Sequence, residues 1–202
     1  MNLILGSVYA GNIDYYSAIL SGHKIIIDGF ENFNKQSFRN RCEIAGANGR
    51  LNLIVPVKRK GKSIVKDIRI DNEQGWRKLH WKSIESAYRS SPYFEYFEHE
   101  FYPLYMEKKF DFLLDLNNQI HHSIVSCLKM ELSLKYSSSY VEISNDDIDL
   151  RNAIHPKKNT SEFYKKPSYF QVFQDRMDHL TNLSVLDLLF NEGPMLTELL
   201  KP

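Results

Sequence analysis

The amino-acid sequence predicts an α/β domain: a mixed sheet with an N-terminal βαβ unit and a β-meander, followed by a helical second half. Short apolar runs rich in β-branched residues alternate with a helical segment near the start of the chain, and long stretches with helical spacing follow. A length of 202 residues suits one domain spanning residues 1–202. A hydrophobic content of 43% is ordinary for a chain that buries a full core.

The first three elements define the βαβ unit. Residues 3–9 and 24–28 are predicted as buried strands. Between them, residues 12–21 are predicted as a helix, with Asn12 as the N-cap and Gly22 just beyond the end. Strand, helix and strand at this spacing indicate a parallel pair.

The meander is predicted from residues 37–44, 51–57 and 64–70, which are strand-like. A turn at Asn48-Gly49 joins the first two, because Asn-Gly tolerates positive φ. The basic run at residues 58–62 joins the last two. We interpret it as a solvated hairpin tip, with a phosphate-binding patch as the alternative.

The rest of the chain is predicted mainly as helices. They cover residues 73–89, 93–108, 111–132 and 184–190, the last with Ser184 as the N-cap. Strands are predicted at residues 133–141 and 169–173. The polar stretch 142–167 is predicted as a long loop with one helical turn near Asp147, and loops of this length are uncommon unless they are functional or mobile.

Composition excludes several classes of protein. A net charge of +1 at pH 7 argues against a dedicated nucleic-acid binder. No run approaches the ~18 apolar residues of a membrane span, and the N-terminus lacks signal-peptide features. Cys42 and Cys127 have no CxxC spacing, so we expect a soluble, cytoplasmic protein. His121 and His122 are adjacent and no metal-binding motif occurs, so no metal site is predicted.

The segment Phe38-Arg39-Asn40-Arg41 is the strongest candidate for a functional centre. On the predicted strand, side chains alternate between faces, so Phe38 and Asn40 share an apolar face. Arg39 and Arg41 share the other face, where paired guanidinium groups suit a phosphate or carboxylate. The alternative is a solvated edge with Glu43 as their ion-pair partner. Both faces can serve one pocket only if the strand bends or bulges.

Two further places carry candidate residues. Tyr9 and Asp28 follow or end the first two strands, and ligands of parallel sheets bind beyond the carboxyl ends of the strands. The alternative for Asp28 is a turn-forming role before Gly29. His80 lies on the buried face of a predicted helix, where it is either a paired core residue or a group for proton transfer near neutral pH.

Four stretches of the sequence carry a family resemblance. They are Ser7-Val8-Tyr9-Ala10-Gly11-Asn12-Ile13-Asp14-Tyr15-Tyr16, Phe38-Arg39-Asn40-Arg41 with Leu53-Ile54-Val55-Pro56-Val57, Trp76…His80-Trp81…Tyr88…Pro92-Tyr93-Phe94, and residues 183–193. With these residues the chain resembles the WbqC-like protein family over nearly its whole length. The first stretch departs from the family pattern, because a Gln-Pro is missing and no Pro follows Tyr9. The resemblance implies a bacterial protein of a family often encoded among genes for cell-surface polysaccharides.

The resulting hypothesis is a transferase-like enzyme of surface-polysaccharide biosynthesis. Its substrate would be small and anionic, such as a nucleotide sugar or an activated acyl or aminoacyl donor. Arg39 and Arg41 would hold the phosphate or carboxylate, and Asn40 would orient a polar group. Asp28 or His80 would act as the base. These roles require Asp28, Asn40 and His80 to line one cleft.

Tyr9 and Tyr88 complete the predicted substrate contacts. The alternative hypothesis is a non-catalytic binding or assembly module that uses residues 184–193 as a partner surface. The two differ in an observable way, since a module would expose a large apolar patch on its C-terminal helices. The cofactor and the oligomeric state, including a homo-oligomer, stay open.

Overall fold

The structure, a computed structural model, describes residues 1–59, 61–129, 132 and 134–201. Its first part is the βαβ unit formed by β1 (Asn2–Gly6), α1 (Ile13–Ile19) and β2 (Lys24–Asp28). The two strands pair in parallel from Asn2 and Lys24 to Gly6 and Asp28. The Asn12 side chain accepts a hydrogen bond from the Tyr15 N–H at 3.1 Å and caps α1. The predicted βαβ unit and its N-cap are therefore confirmed.

Two short strands complete the central sheet. β7 (Leu134–Tyr136) pairs with β2, and β8 (Ile148–Asp149) pairs with β1. Among the described residues the sheet has four strands in the order β7-β2-β1-β8, and every pairing is parallel. The predicted strand at 133–141 contains β7, while Ser133 lies outside the described residues. Near Asp147, where one helical turn was predicted, the Asp147 N–H donates to the Ser144 carbonyl at 3.1 Å and closes a turn. β8 follows this turn and was not predicted, because so short a strand leaves no period in the sequence and depends on its neighbour for pairing.

The antiparallel strands form two separate pairs beside this sheet. β3 (Arg41–Gly46) pairs with β4 (Gly49–Ile54), and β5 (Val57–Lys58) pairs with β6 (Arg69–Ile70). Gly49 has a φ of 113°, which a side chain would disfavour, so the predicted turn is confirmed. Much of the strand predicted at 64–70 is a 3₁₀ turn, Val65–Asp67. Within the basic run between β5 and β6, Lys60 lies outside the described residues.

The helical second half is confirmed. The helices are α2 (Trp76–Tyr88), α3 (Phe94–Met106), α4 (Leu113–Leu128), α5 (Val185–Glu192) and α6 (Leu196–Leu200). The apolar positions of α4 recur at helical spacing and are buried in the core: Leu113, Leu116, Ile120, Ile124, Cys127 and Leu128. The predicted extension of α4 to 132 is wrong for Lys129, whose φ of 51° ends the helix; Met130 and Glu131 lie outside the described residues.

The C-terminal segment packs inward. Residues 185–191 of α5 are all buried, and Ser184 caps the helix through the Leu186 N–H at 3.3 Å. Residues 169–173 form no strand, because their backbone pairs with no neighbouring strand among the described residues; the side chains of Tyr169 and Gln171 bind Asp187 of α5. In the described part of the chain, helices long and apolar enough to cross a membrane are absent.

Candidate functional site

A cleft of about 640 Å³ opens between the β3–β4 hairpin and the loops that connect β8 to α5. Its volume lies within the usual range of small-molecule sites. We call it the basic cleft, and its polar lining includes Glu43, Arg50, His155, Lys158, Tyr164 and Lys166. Phe38, the first residue of the predicted functional segment, also lines it. The cleft therefore lies beside the segment that the sequence singled out.

The charges of the basic cleft are mostly positive. Arg50 pairs with Glu43 at 2.9 Å and also donates to the Thr181 carbonyl. Lys158 and Lys166 are exposed and form no ion pair with a described residue. Burial lowers the pKa of His155, and the neighbouring cations, Lys158 first among them, lower it further. The cleft is thus suited to an anion, because its cations are only partly neutralised.

Helix α1 holds the loop that supplies these lysines. Both carboxylate oxygens of Asp14 accept hydrogen bonds from Ser161, one from its hydroxyl at 2.5 Å and one from its N–H at 2.9 Å. The Lys165 N–H donates to the Ser17 hydroxyl at 3.2 Å. The Asn182 side chain accepts from the Asp14 N–H at 2.9 Å. Asp14 therefore ties two walls of the basic cleft to the buried face of α1.

Residues 37–40 form a turn, and β3 begins only at Arg41. The strict alternation predicted for this segment is therefore wrong. The turn follows Gln36, whose φ of 55° is left-handed, and the Ser37 hydroxyl fixes it by donating to the Asn34 carbonyl at 2.6 Å. Arg39 consequently points into the interior, where it is only 2% exposed, rather than onto a solvated edge.

The guanidinium of Arg39 is bound within the protein. It donates to both carboxylate oxygens of Glu31, at 2.9 and 2.5 Å, and to the Arg151 carbonyl at 3.0 Å. Burial raises the pKa of Glu31 to about 6, and the hydrogen bonds from Arg39 oppose that shift. An arginine paired in this way supports the wall behind Phe38 and has few donors left for a ligand.

Asn40 and Arg41 take different positions. The Asn40 side chain donates to the Val55 carbonyl at 2.9 Å, and the Val55 N–H donates to the Asn40 carbonyl at 2.8 Å. Asn40 therefore closes the open end of the β3–β4 hairpin. Arg41 donates to the Gln36 carbonyl, and its charge contributes to the lowered pKa of His155. Arg41 thus contributes positive potential to the basic cleft without lining it.

Asp28 lies at the carboxyl end of β2 and is fully buried. One of its oxygens accepts from the Arg151 guanidinium at 2.7 Å, and the other accepts from the Phe30 N–H at 2.8 Å. The second bond is the turn-forming contact considered as the alternative for this residue. Arg151 also binds both oxygens of Asp149 at the end of β8, at 2.9 and 2.8 Å. Asp28 is therefore part of a buried ionic cluster.

Tyr9 and His80 meet in the core. The Tyr9 hydroxyl lies 2.8 Å from His80 Nδ1 and 2.8 Å from the Tyr105 hydroxyl. Burial lowers the pKa of His80 to about 4, with the Ile54 carbonyl opposing the shift. The imidazole is therefore neutral at pH 7, with one nitrogen occupied by Tyr9.

Tyr88 occupies another buried network. Its hydroxyl accepts from the Ala45 N–H at 3.3 Å, and burial followed by the nearby Asp187 carboxylate raises its pKa. Asp187 of α5 accepts hydrogen bonds from the Tyr169 hydroxyl at 2.6 Å and from the Gln171 side chain at 2.9 Å. Tyr88 thus links the end of α2 to β3 and α5.

The structure brings some of the predicted residues together and separates others. Arg151 connects Asp28 to Arg39, since its side chain binds the former and its carbonyl the latter. Asn40 and His80 contact different partners. The basic cleft is lined by none of Asp28, Asn40 and His80. The described residues also contain no cluster of His, Cys, Asp and Glu side chains suited to a metal ion.

The sequence analysis did not predict the partners within the buried ionic cluster, nor did it predict the lysines of the basic cleft. Arg151 lies 112 residues from Arg39, so no local pattern could connect the two. Glu31 follows Asp28 closely but lies in no periodic element. The lysines did leave a signal, because Lys157-Lys158 and Lys165-Lys166 are adjacent pairs within the long loop predicted at residues 142–167.

Comparisons with known proteins identify one protein family. The model of the WbqC-like protein family matches residues 7–168. A Mycobacterium tuberculosis protein described as uncharacterized protein Rv1507c is 25% identical to this chain, over 89% of this chain and 88% of its own length. No solved structure matches the chain.

Proposed function

We propose that this chain, which belongs to the WbqC-like protein family, binds a small anionic substrate in the basic cleft and transfers a group from it. The observation that carries the proposal is that Lys158 and Lys166 are exposed, without ion pairs to described residues, in a cleft of small-molecule size. Free ammonium groups attract phosphate and carboxylate, and cations gathered around one concave site add their potentials. Arg50 and Arg41 add positive potential on the other side.

The classes of substrate follow from charge and context. A nucleotide sugar carries two phosphates, and activated acyl or aminoacyl donors carry phosphate groups as well. The family resemblance adds the context of bacterial cell-surface polysaccharides, in which such donors are used. The two free cysteines, Cys42 and Cys127, agree with a cytoplasmic reaction on these donors.

The roles of the candidate residues change in this proposal. Lys158, Lys166 and Arg50 hold the anion, while Arg39 and Asn40 support the turn that presents Phe38 to the cleft. The base expected at Asp28 or His80 is not assigned, because both side chains are buried with partners inside the protein. The partner surface expected at residues 184–193 is also left out, since α5 is buried against the core.

A thermal-shift screen of sugar nucleotides and acyl donors tests the proposal. A ligand at 100 times its Kd stabilises the native state by about 2.7 kcal/mol. The double variant Lys158→Ala/Lys166→Ala should raise the Kd about tenfold or more, on the order of 1.4 kcal/mol. Lys78→Ala removes an exposed lysine of α2 and serves as the control.

The outcomes separate the two functional hypotheses. A bound donor that is consumed when an acceptor is supplied supports the transferase. Binding that depends on the cleft lysines but gives no product supports a non-catalytic binding module. Binding that is equal in the double variant and in Lys78→Ala contradicts a role for the basic cleft.

A further inference from the structure

A second polar cavity lies at the carboxyl end of β1 and β2, and it shares no lining residue with the basic cleft. Its wall includes Ser7, which follows β1, Ile27 of β2, Tyr15 of α1, and Asn117 and His121 of α4. We call it the inner cavity. Ligands of open α/β sheets bind beyond this edge of the strands.

Two side chains at the inner cavity have polar atoms without partners. Asn117 Oδ1 and His121 Nε2 are buried and accept or donate no hydrogen bond within the described part of the chain. The residues themselves are 2% and 7% exposed. Four positions apart on α4, they project from the same face of the helix. Buried polar atoms are nearly always paired, and the inner cavity is a space that both of these residues line.

The orientation of the Asn117 amide is fixed by its other contacts. Its nitrogen donates to the Arg39 carbonyl at 2.9 Å and to the Ser7 hydroxyl at 3.2 Å. A carbonyl oxygen only accepts, so the amide cannot be turned over without placing two acceptors against each other. Asn117 Oδ1 is therefore the acceptor that the side chain offers elsewhere.

His121 is fixed in a similar way. Its Nδ1 lies 2.8 Å from the Tyr16 hydroxyl, and the two rings stack with centroids 5.5 Å apart. Burial lowers the pKa of His121 to about 4, and His122 adds to the shift, so the ring is neutral at pH 7. Nε2 then offers either a proton or a lone pair, depending on which way the hydrogen bond with Tyr16 runs.

We propose that the inner cavity binds a neutral hydroxyl group, of a water molecule or of a substrate, between Asn117 Oδ1 and His121 Nε2. A substrate hydroxyl can donate to the first atom and accept from the second, and a water molecule can also donate to both. The cavity has space for about one water-sized group, and no charged side chain lines it among the described residues. A cation or an anion would therefore lack a counter-charge there.

The inner cavity is also close to the basic cleft. Phe38 lines the cleft, and the carbonyl of the next residue, Arg39, accepts from Asn117 at the inner cavity. The turn at residues 37–40 thus separates the two. A hydroxyl group held in the inner cavity would lie on the other side of this turn from an anion held in the cleft.

High-resolution crystals of the full chain test the proposal, with water and methanol as the probes. We expect an oxygen atom within about 2.7–3.2 Å of both Asn117 Oδ1 and His121 Nε2. Replacement of a bound water by methanol in soaked crystals assigns the site to substrate hydroxyl groups, and a water that methanol does not displace assigns it to a structural water. The absence of a bridging oxygen in both crystals overturns the proposal.

A pair of variants adds a control. His121→Phe keeps a ring in place and should abolish the bridging oxygen, whereas His122→Phe changes an exposed histidine of the same helix and should retain it. If His121→Phe does not fold, the ring ¹⁵N resonances of the wild-type chain replace it. Methanol should then shift Nε2 of His121 in a saturable way, or water should show a cross-relaxation contact to that ring. The lack of both contradicts the proposal.

Discussion

The two polar regions on either side of Phe38 differ in how completely their charges are paired. Behind it, the carboxylates of Asp28 and Glu31 are buried and bound to the guanidinium groups of Arg151 and Arg39. In front of it, the cleft lysines are exposed and have no ion pair with a described residue. Charges that are paired in the interior are bound to partners within the protein, whereas unpaired charges at the surface of a cleft remain available to a ligand. The segment Phe38-Arg39-Asn40-Arg41 therefore serves mainly to support the site.

The largest expected effect comes from breaking the interior pair. Arg39→Met leaves the Glu31 carboxylate buried without its cation, and removing one partner of a buried pair costs about 3–5 kcal/mol of unfolding free energy. Urea denaturation at pH 7 measures the loss. Arg89→Met breaks an exposed pair with Glu85 on α2 and should change stability little. Equal losses in the two variants would show that the interior cluster is not what stabilises this edge of the sheet.

A second prediction concerns pH and the Tyr9–His80 pair. Burial holds the folded-state pKa of His80 near 4, below an unfolded value near 6.5. On acidification, the His80 side chain therefore takes up a proton at a higher pH in the unfolded chain than in the folded chain. The stability of the folded state that depends on neutral His80 is present above pH 6.5 and is lost as the pH falls towards 4. Between pH 7 and pH 5, the wild-type chain should lose about 2 kcal/mol of unfolding free energy relative to His80→Gln.

The comparison of two chains at each pH cancels the groups that both retain. Urea denaturation of the wild-type chain and of His80→Gln at pH 7 and pH 5 gives the difference directly. A gap between the two that stays constant or widens on acidification would mean that His80 is not held neutral by burial.

The smallest effect on stability is expected where the interior meets the cleft. Asp14→Asn removes the charge that accepts two hydrogen bonds from Ser161, which should lower the unfolding free energy by about 1 kcal/mol. Because Asp14 ties down the loop that carries Lys158 and Lys166, we expect ligand affinity in the cleft to fall severalfold. Asp115→Asn removes an acid from the first turn of α4 and is the matched control. An affinity unchanged in Asp14→Asn would show that the cleft does not depend on this tether.

Much of the fold was predictable from the sequence. The βαβ unit has apolar runs of the right length around a capped helix, and the stripe of α4 fixes its buried face, so local patterns suffice for both. β8 was not predictable, since a two-residue strand gains its hydrogen bonds only from β1. The strand predicted at 169–173 was wrong for a related reason, because no described strand lies beside this segment to pair with its backbone.

The candidate site was less predictable than the fold. The sequence pointed to the segment that contains Phe38, and that residue does line the basic cleft. Alternation then placed Arg39 on a solvated face, and the turn after Gln36 reversed that assignment. Period-two reasoning holds only while the backbone stays extended, and a single left-handed residue ends it.

The sequence by itself determined the α/β class, the parallel start of the sheet, the helical second half and the family resemblance. Each of these features follows from the local spacing of residues or from contiguous motifs. The tertiary structure alone decided which charges are paired. Arg39 meets Arg151, and Asp14 meets Ser161, across more than a hundred residues of chain. Long-range contacts of this kind depend on how the elements pack, and they separate the arginine that supports the site from the lysines that are free to bind a ligand.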